Sequence, residues 1–326
     1  MRKVLQLATA LCALGAPCVL AVPVLAQNWP ERTIRLVVPY PPGGNVDGAA
    51  RIVANRLQEK LGQPVVIENK AGAGGLIAGE MVVKSPPDGY TLFVGANGPI
   101  LFAPEITGKH AYEWSKDFVA VSTISLTPLV LQVHPSVSAK TLGEFFELAK
   151  RDPGKLNMAS PGPGTTNHLL SELLQSTANA SWTTVHYKGN APATNDLIAG
   201  HVQFNFDQIS VALPFLKEGR TRALAVTGTK RAHWIPDVPT FAELGYQDVV
   251  GQTFTALMAP AGTPEPIIAK LNTALTEILR DKGVIEKFDL LGAETAAMSP
   301  EETRKYLSSE DATWMPIVRK ANIKAE

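Results

Sequence analysis

The sequence predicts an α/β protein built from two lobes. Short β-branched strands alternate with helical stretches along the 326 residues, and loops rich in glycine and proline join them. Alternation of strands and helices is typical of a mostly parallel sheet. Domains usually contain about 100 to 200 residues. The length that remains after an apolar N-terminal segment therefore predicts two lobes rather than one.

The N-terminus has the pattern of a secretory signal peptide. Arg2 and Lys3 precede an apolar run from Val4 to Leu25, and small residues lead to a cleavage point after Ala26. Prolines and a glycine interrupt the run, which argues against a transmembrane anchor of similar length. We therefore expect residues 1–26 to be removed on export.

Cysteine and charge content narrow the compartment and the partners. Cys12 and Cys18, the two cysteines of the chain, both lie in the predicted signal peptide, so the mature chain has no disulfide. An exported protein without disulfides indicates a bacterial periplasm. Because the signal peptide carries two of the 30 basic residues and none of the 30 acidic ones, the mature net charge is −2. This balance gives no indication of nucleic-acid binding.

The first half of the mature chain begins with a strand, a glycine loop and a helix. Ile34–Pro39 reads as a strand, and apolar residues at helical spacing run from Val46 to Leu61, with Asn45 as the N-cap and Gly62 as the stop. Further elements follow: a strand at Val65–Ile67, a glycine loop at Ala71–Gly75, an apolar stretch at Leu76–Val83 and a strand at Thr91–Val94.

The second half repeats the alternation. Strands are predicted at Leu129–Val133, Leu156–Ala159, Thr183–Val185, Phe204–Asp207, Ala223–Val226 and, as the last strand, Phe254–Met258. Helices are predicted after Thr141, over His168–Leu174, over Pro264–Leu279 and over Pro300–Ala321.

Two loops combine the features of an anion site. Pro41–Asn45 and Ser160–His168 each follow a strand, contain glycines and open a helix, whose first N–H groups carry partial positive charge. Glycines let an anion approach those amides, and Ser160, Thr165 and Thr166 add hydroxyl donors. Such loops also serve as ordinary connectors, so on motif grounds both interpretations stay open.

Other motifs exclude several kinds of site. Gly72–Ile77 lacks the final glycine of the dinucleotide fingerprint, so no nucleotide cofactor is implied. The six histidines form no metal-ligand pair, and we expect no metal. His168, His186 and Lys188 lie near the second predicted loop and are candidates for an acid–base set, which leaves a hydrolase or isomerase as an alternative, although no nucleophile accompanies them. Asp47 is interpreted as a partner of the helix dipole.

Several motifs then occur in one order along the mature chain: Pro39–Gly44 with Asp47 and Ala50-Arg51, Leu61–Val66, Glu68-Asn69, Gly72–Gly75, Pro87–Leu92, Tyr187–Gly189, Asp237–Gly245 and Ala259–Pro264. In these the sequence closely resembles the Bug (Bordetella uptake gene) solute-binding proteins, the extracytoplasmic receptors associated with tripartite tricarboxylate transporters. The resemblance covers essentially the whole mature chain.

The resemblance implies a periplasmic-binding-protein fold, type II-like, whose two α/β lobes close by a hinge on a carboxylate ligand. It implies a first lobe of residues 27–124 plus 252–326 and a second lobe of residues 125–251. It also implies a monomer without cofactors. The implied partners are the small ligand and either the membrane permease subunits of the transporter or a periplasmic sensor domain.

Carried over by position, the implied ligand-binding residues are Pro42, Gly43, Gly44, Asn45, Gly95, Ala96, Asn97, Ser160, Gly162, Gly164, Thr165, Thr166, His168 and Asp207. Asn45 departs from the small residues frequent in relatives, and either a ligand hydrogen bond or a helix cap explains it. Asp207 either meets the ligand or serves as a cap or lobe-to-lobe bond. Because neither main loop contains Arg or Lys, we expect a mono- or dicarboxylate, including aromatic acids, rather than a more highly charged ligand.

Overall fold

The computed structural model describes residues 28–108 and 111–320. The predicted signal peptide lies outside the described residues. Within those residues, no helix is both long enough and apolar enough to cross a bilayer.

Among the described residues, ten strands form the framework: β1 (Ile34–Val38), β2 (Val65–Asn69), β3 (Thr91–Ala96), β4 (Phe118–Val133), β5 (Asn157–Ser160), β6 (Thr183–His186), β7 (Phe204–Gln208), β8 (Arg222–Val226), β9 (Gln252–Pro260) and β10 (Glu294–Thr295). In the same part of the chain, eleven α-helices surround them: α1 (Asn45–Leu61), α2 (Leu76–Val83), α3 (Ala103–Ile106), α4 (Trp114–Asp117), α5 (Leu142–Arg151), α6 (Thr166–Ala178), α7 (Asn190–Ile198), α8 (Ile209–Lys217), α9 (Glu265–Arg280), α10 (Lys282–Leu291) and α11 (Pro300–Lys320).

The long strand β4 belongs to two sheets. Up to Pro128 it pairs with β9 in a first sheet of order β2-β1-β3-β9-β4, with β10 on β4. From Leu129 onward it pairs with β7 and β8 in a second sheet, where β7 continues to β5 and β6. We call the first sheet and its helices lobe 1, and the second sheet and its helices lobe 2.

The chain passes between the lobes twice, and Thr227 joins the two passages. Its amide donates to the Leu129 carbonyl over 2.9 Å, and its carbonyl accepts from the Gly251 amide over 3.2 Å. The Thr227 hydroxyl also accepts from the Leu129 amide over 3.0 Å. The two crossing segments therefore lie side by side and are bonded through one residue.

Each lobe has an apolar core on the faces of its sheet. In lobe 1, α1 and α9 cover β1 and β9, so that Leu36, Leu57 and Leu275 are fully buried. In lobe 2 the core is aromatic, with the ring of Phe204 lying 4.9 Å from Phe145 and 5.2 Å from Trp182. Burial of such side chains is the main stabilising contribution in a fold of this kind.

The expected α/β fold is confirmed. The sheets are mixed, however, and not mostly parallel as predicted. The strands of the predicted strand–helix units, such as β1 with β2 and β5 with β6, do pair in parallel. The two crossing strands β4 and β9 enter antiparallel to their neighbours. Phe254–Met258 is not the last strand either, because β10 follows it.

Candidate functional site

A small cavity lies between the lobes. Lobe 1 and its crossing strand contribute Tyr40, Asn45, Val46, Ala96, Gly98 and Thr253, and lobe 2 contributes Pro161, Thr165, Thr166, Asn167, Asn190 and Gln208. Its volume is about 10 Å³, roughly the space of one water molecule. The structure therefore shows the two lobes closed against each other.

The N-terminal ends of four helices line this cavity. Asn45 begins α1, Thr166 begins α6, Asn190 begins α7, and Gln208 directly precedes α8. The first N–H groups of a helix have no partner within the helix and carry partial positive charge. None of the described residues around the cavity is Lys, Arg, Asp or Glu. The arrangement attracts an anion by means of backbone dipoles.

The first predicted loop is held in shape by Asp47. Its carboxylate accepts from the Gly43 amide over 3.0 Å, from Arg51 over 2.8 Å and from Asn69 over 2.9 Å. Burial opposes ionisation, yet these hydrogen bonds lower the pKa of Asp47. Since the Gly43 amide is already bonded and Pro42 is exposed, the loop presents the start of α1 to the cavity rather than these two residues.

Asn45 is not a helix cap. The N-cap of α1 is Gly44, and Asn45 is the first helical residue, so the predicted cap at Asn45 is wrong. The Asn45 Oδ1 atom instead accepts from the hydroxyls of Thr127 over 3.2 Å and Ser210 over 2.7 Å. Its Nδ2 atom is buried and has no hydrogen-bond partner in the part of the chain that the structure describes, and the residue lines the cavity.

The end of β3 contributes less than expected. Ala96 lines the cavity, but Gly95 does not, and a Cβ atom there would lie 2.7 Å from the Phe93 ring. The amide of Asn97 is turned away, because its Oδ1 accepts from the Phe254 amide over 2.9 Å and its Nδ2 donates to Glu310 over 3.1 Å. Asn97 joins β3 to β9 and α11, and the following residue, Gly98, takes the place at the cavity.

The second predicted loop forms the cap of α6. Thr165 is the N-cap: its hydroxyl accepts from the His168 amide over 3.3 Å and donates to the Gly162 carbonyl over 2.8 Å. Ser160 bonds to Gly162 within the same loop. Thr165 and Thr166 line the cavity, whereas Ser160, Gly162 and Gly164 do not and shape the loop behind it.

His168 bonds to the backbone of the loop and does not line the cavity. Its Nδ1 atom accepts from the Gly164 amide over 3.2 Å, which requires a neutral ring with that nitrogen unprotonated. Burial, assisted by the nearby His186, lowers the pKa of His168 to about 3. The two imidazole rings lie 4.7 Å apart and Lys188 is exposed. In this arrangement His168 positions a backbone segment.

Asp207 is a buried anchor for two residues of the cavity wall. Its carboxylate accepts from Asn190 over 2.6 Å, from Thr194 over 2.7 Å, and from the Gln208 amide over 3.0 Å. Complete burial raises the pKa of Asp207 to about 6 even though these donors favour ionisation. Asp207 does not line the cavity. All of these bonds lie within lobe 2, so they correspond neither to the cap nor to the lobe-to-lobe bond that the sequence left open.

The predicted site residues did not include part of the wall, namely Tyr40, Val46, Gly98, Pro161, Asn167, Asn190, Gln208 and Thr253. Gln208 Nε2 donates to Asn167 over 3.1 Å and to Thr253 over 2.8 Å, and Asn190 donates to Gln208 over 2.7 Å. The pattern of strand, glycine and helix start at Gly189-Asn190 repeats that of the two predicted loops and would have indicated Asn190. Gln208 and Thr253 carry no comparable motif.

Glycines allow the lobes to approach this closely. A Cβ atom on Gly98 would lie 2.8 Å from the Gly164 carbonyl oxygen of lobe 2, and one on Gly44 would lie 3.3 Å from Asn190 Oδ1. Contacts below about 3 Å to backbone force something to move. The closed arrangement therefore depends on the missing side chain at Gly98.

A larger depression elsewhere is less suited to an anion. It has a volume of about 600 Å³ on the surface of lobe 1, near Tyr112, Trp114 and Arg319. Acidic side chains such as Glu105 and Asp311 line it. The residues at the four helix starts described above do not line it. Volume alone therefore does not identify the ligand site, and we assign the site to the smaller cavity on its chemistry.

Known proteins share both sequence and fold with this chain. The family model described as tripartite tricarboxylate transporter family receptor (TctC) matches residues 49–323. Protein BugT of Bordetella pertussis is 38% identical over 306 residues, which cover 94% of each chain.

Two similar solved structures contain carboxylate ligands. R. palustris Rpa4515 with adipate is 34% identical, with a TM-score of 0.88 over 91% of this chain and 99% of that one. MatC from Rhodopseudomonas palustris with bound malate is 35% identical, with a TM-score of 0.86 over 89% of this chain and 100% of that one. The chain belongs to the tripartite tricarboxylate transporter receptor family, within which the sequence resemblance to the Bug proteins is confirmed.

Proposed function

We propose that this solute-binding protein captures a small mono- or dicarboxylate in the cavity between its lobes, aromatic acids included, and delivers it to the permease subunits of a tripartite tricarboxylate transporter. The observation that carries the proposal is the convergence of four helix N-termini on one cavity without a charged side chain. Such ends bind carboxylates well. Several carboxylates buried together need cationic partners, which argues against a tricarboxylate.

The bound ligands of the two R. palustris relatives support this ligand class. Adipate and malate are both small dicarboxylates, and each is present in a structure that shares the fold and about a third of the sequence. We infer that the present receptor takes acids of similar size. The receptors in the family are not enzymes, and His168, occupied by a loop amide, supports the same conclusion for this chain.

The proposed contact residues carry polar groups and line the cavity: Asn45, Thr165, Thr166, Asn167, Asn190, Gln208 and Thr253. At Ala96 and Gly98 the side chain is small or absent, so the ligand can contact the backbone there. Asp47, Asn97, His168 and Asp207 hold these groups in place through the hydrogen bonds described above. The remaining predicted residues of the glycine loops shape the two helix starts.

We further propose that the lobes open about a hinge at Pro128–Leu129 and Gly251–Gln252. β4 changes partners between Pro128 and Leu129, and β9 begins at Gln252. A cavity of about 10 Å³ is smaller than any dicarboxylate, so entry requires the lobes to separate. Hinge motion in a few residues that absorb the backbone change is the usual mechanism.

The signal-peptide pattern and the family together support export to the periplasm. A receptor there can present its ligand either to a permease or to a sensor domain. We propose the permease, because the family is that of transporter receptors. Deletion of the gene should abolish uptake of the ligand that the purified receptor binds, and unchanged uptake with altered ligand-dependent signalling would favour the sensor.

Thermal unfolding with a panel of acids tests the binding function. The chain from residue 27 is unfolded and refolded to remove carried ligand, and its melting temperature is measured with mono-, di- and tricarboxylates, aromatic acids and acidic amino acids. A ligand at about 1,000 times its dissociation constant stabilises the fold by about 4 kcal/mol, a rise of several degrees. A rise confined to tricarboxylates, or a flat response from folded protein, would contradict the proposal.

A further inference from the structure

The side-chain amide of Asn45 differs from the other amides of the cavity wall. Asn167 Nδ2 donates to the Phe206 carbonyl over 2.8 Å, Asn190 Nδ2 donates to Asp207, and Gln208 Nε2 donates to Thr253. Asn45 is 4% exposed, yet its Nδ2 has no hydrogen-bond partner among the described residues. A buried donor without a partner is costly, and a ligand atom that accepts from it removes that cost.

The oxygen end of this amide is the end that bonds to the rest of the protein. Asn45 Oδ1 accepts from Thr127, which lies on the lobe 1 part of β4, and from Ser210 in the first turn of α8 in lobe 2. An oxygen that accepts two hydrogen bonds has used both of its lone pairs. The opposite end of the amide, the NH2 group, is therefore directed to the remaining surroundings of the side chain, which include the cavity.

We propose that Asn45 is a specificity-determining residue: its Nδ2 group donates to the second carboxylate of a bound dicarboxylate, while its Oδ1 connects that contact to lobe closure through Ser210. The first carboxylate occupies the other helix starts at the cavity, and the neutral amide of Asn45 receives the second carboxylate. The inference rests on the proposed function and narrows its ligand class from mono- or dicarboxylates to dicarboxylates.

The bonding of the amide also explains why the contact selects an acceptor. Because both lone pairs of Oδ1 are occupied, Asn45 offers the ligand only a donor. A methyl group at that end of the ligand would leave Nδ2 buried without a partner, and a carboxylate oxygen would satisfy it with a charge-assisted hydrogen bond. The receptor should therefore distinguish acids that differ only in their second terminus.

Titration calorimetry on the refolded chain tests this with matched acids. Adipate is compared with hexanoate and succinate with butyrate, so each pair differs by one carboxylate. We expect the unaltered receptor to bind the dicarboxylate of at least one pair more tightly. Asn45→Leu, of similar volume, should weaken the dicarboxylate about tenfold more than the monocarboxylate, because both acids lose the bond to Ser210 and only the dicarboxylate also loses its own contact with Asn45. Asn45→Asp should weaken the dicarboxylate by about 100-fold or more through like-charge repulsion.

Two further variants separate recognition from closure and from general charge effects. Ser210→Ala keeps Nδ2 and removes the bond to lobe 2, so it should weaken both acids of a pair by the same factor. Asn195→Asp places a negative charge on an exposed position of α7 and should change neither affinity by more than about twofold.

The outcomes distinguish the inference from the function beneath it. Equal weakening of both acids by Asn45→Leu, or equal affinity of the unaltered receptor for both acids of each pair, overturns the role of Asn45 and leaves carboxylate capture standing. The comparison of the two acids of each pair on the unaltered receptor needs no variant, so it tests the role of Asn45 even if Asn45→Leu does not fold. Failure of the unaltered, folded receptor to bind any of the four acids overturns this inference, and a flat thermal response to the whole panel of acids overturns the proposed function as well.

Discussion

Gln208 Nε2 lies 2.8 Å from Thr253 Oγ1, and the hydrogen bond between them joins the residue before α8 to the second residue of β9. Gln208 belongs to lobe 2, and Thr253 lies where the chain has just returned to lobe 1. The same amide also donates to Asn167 at the start of α6. One side chain therefore connects a helix start that faces the ligand cavity to the crossing strand.

Replacing Gln208 should weaken ligand binding. Gln208→Leu removes the bonds to Asn167 and Thr253 and leaves Asn190 with one acceptor fewer. We expect about a tenfold loss in affinity for the preferred acid, since each lost bond costs about 1 kcal/mol. Calorimetry measures it, with Gln63→Leu on the surface of lobe 1 as the control. Equal affinity in Gln208→Leu would contradict the role of this bridge.

A methyl group at Gly98 should prevent full closure. Its Cβ atom would meet the Gly164 carbonyl oxygen at 2.8 Å and the Tyr40 hydroxyl at 3.2 Å. Gly98→Ala should lower affinity by about tenfold or more, because 1.4 kcal/mol of lost closing energy is tenfold. Small-angle X-ray scattering should show a larger radius of gyration with ligand present. Gly143→Ala, where a Cβ atom meets nothing within 4 Å, serves as the control.

The buried carboxyl of Asp207 should make the protein more stable in mild acid. Its pKa is raised by burial to about 6, so its stabilising contribution is complete below pH 3.8 and is lost as the pH rises through about 6. The unfolding free energy of the native chain, relative to Asp207→Asn, should fall by about 2 kcal/mol between pH 4 and pH 7. Urea unfolding across this range measures it.

Asp196 supplies a control of opposite sign. Hydrogen bonds from Tyr187 and His201 lower the pKa of Asp196, so its contribution is present at neutral pH and is lost in acid. The unfolding free energy of the native chain, relative to Asp196→Asn, should therefore rise with pH. A difference between native chain and Asp207→Asn that does not vary with pH would refute the assignment for Asp207.

An exposed contact of Asp289 in lobe 1 with His233 and Trp234 should favour the closed state modestly. Asp289 on α10 of lobe 1 lies 2.7 Å from His233 Nε2 and accepts from the Trp234 indole over 3.1 Å, and both partners lie between β8 and β9. Because exposed pairs are worth about 0.2 to 1 kcal/mol, Asp289→Ala should weaken binding by at most about fivefold. Calorimetry compares it with Glu286→Ala on the same helix, which should bind as the native chain does.

Much of the fold follows from local pattern in the sequence. The strand at Ile34–Val38 and the helix that ends before Gly62 lie where periodicity and stop residues place them, and Gly62 has the left-handed backbone typical of a helix stop. The first eleven residues of β4 were missed, because the segment from Phe118 to Pro128 mixes Ser and Thr with apolar residues and resembles a loop. Its hydroxyls bond inside lobe 1, as Ser122 does to Met298, which no local pattern reveals.

The site was harder to predict than the fold. Thr165 and Thr166 were found because a glycine loop and a helix start lie next to each other in the sequence. Gln208 and Thr253 meet only because the chain returns to lobe 1 after a long excursion, so their proximity is a property of topology. Asn97 and His168 looked like ligand contacts but bond to backbone instead, because polar side chains near a loop also satisfy its amides.

The position of β9 in the first sheet has a consequence for how the protein is made. β3 and β4 are joined in that sheet only through β9, which comes more than 150 residues after β3. During synthesis the edge of β3 therefore stays unpaired until nearly four-fifths of the chain has emerged, while lobe 2 is already complete. Late pairing of this kind slows folding and leaves an edge open to aggregation. The protein therefore completes its first lobe last, after the lobe that follows it in the sequence.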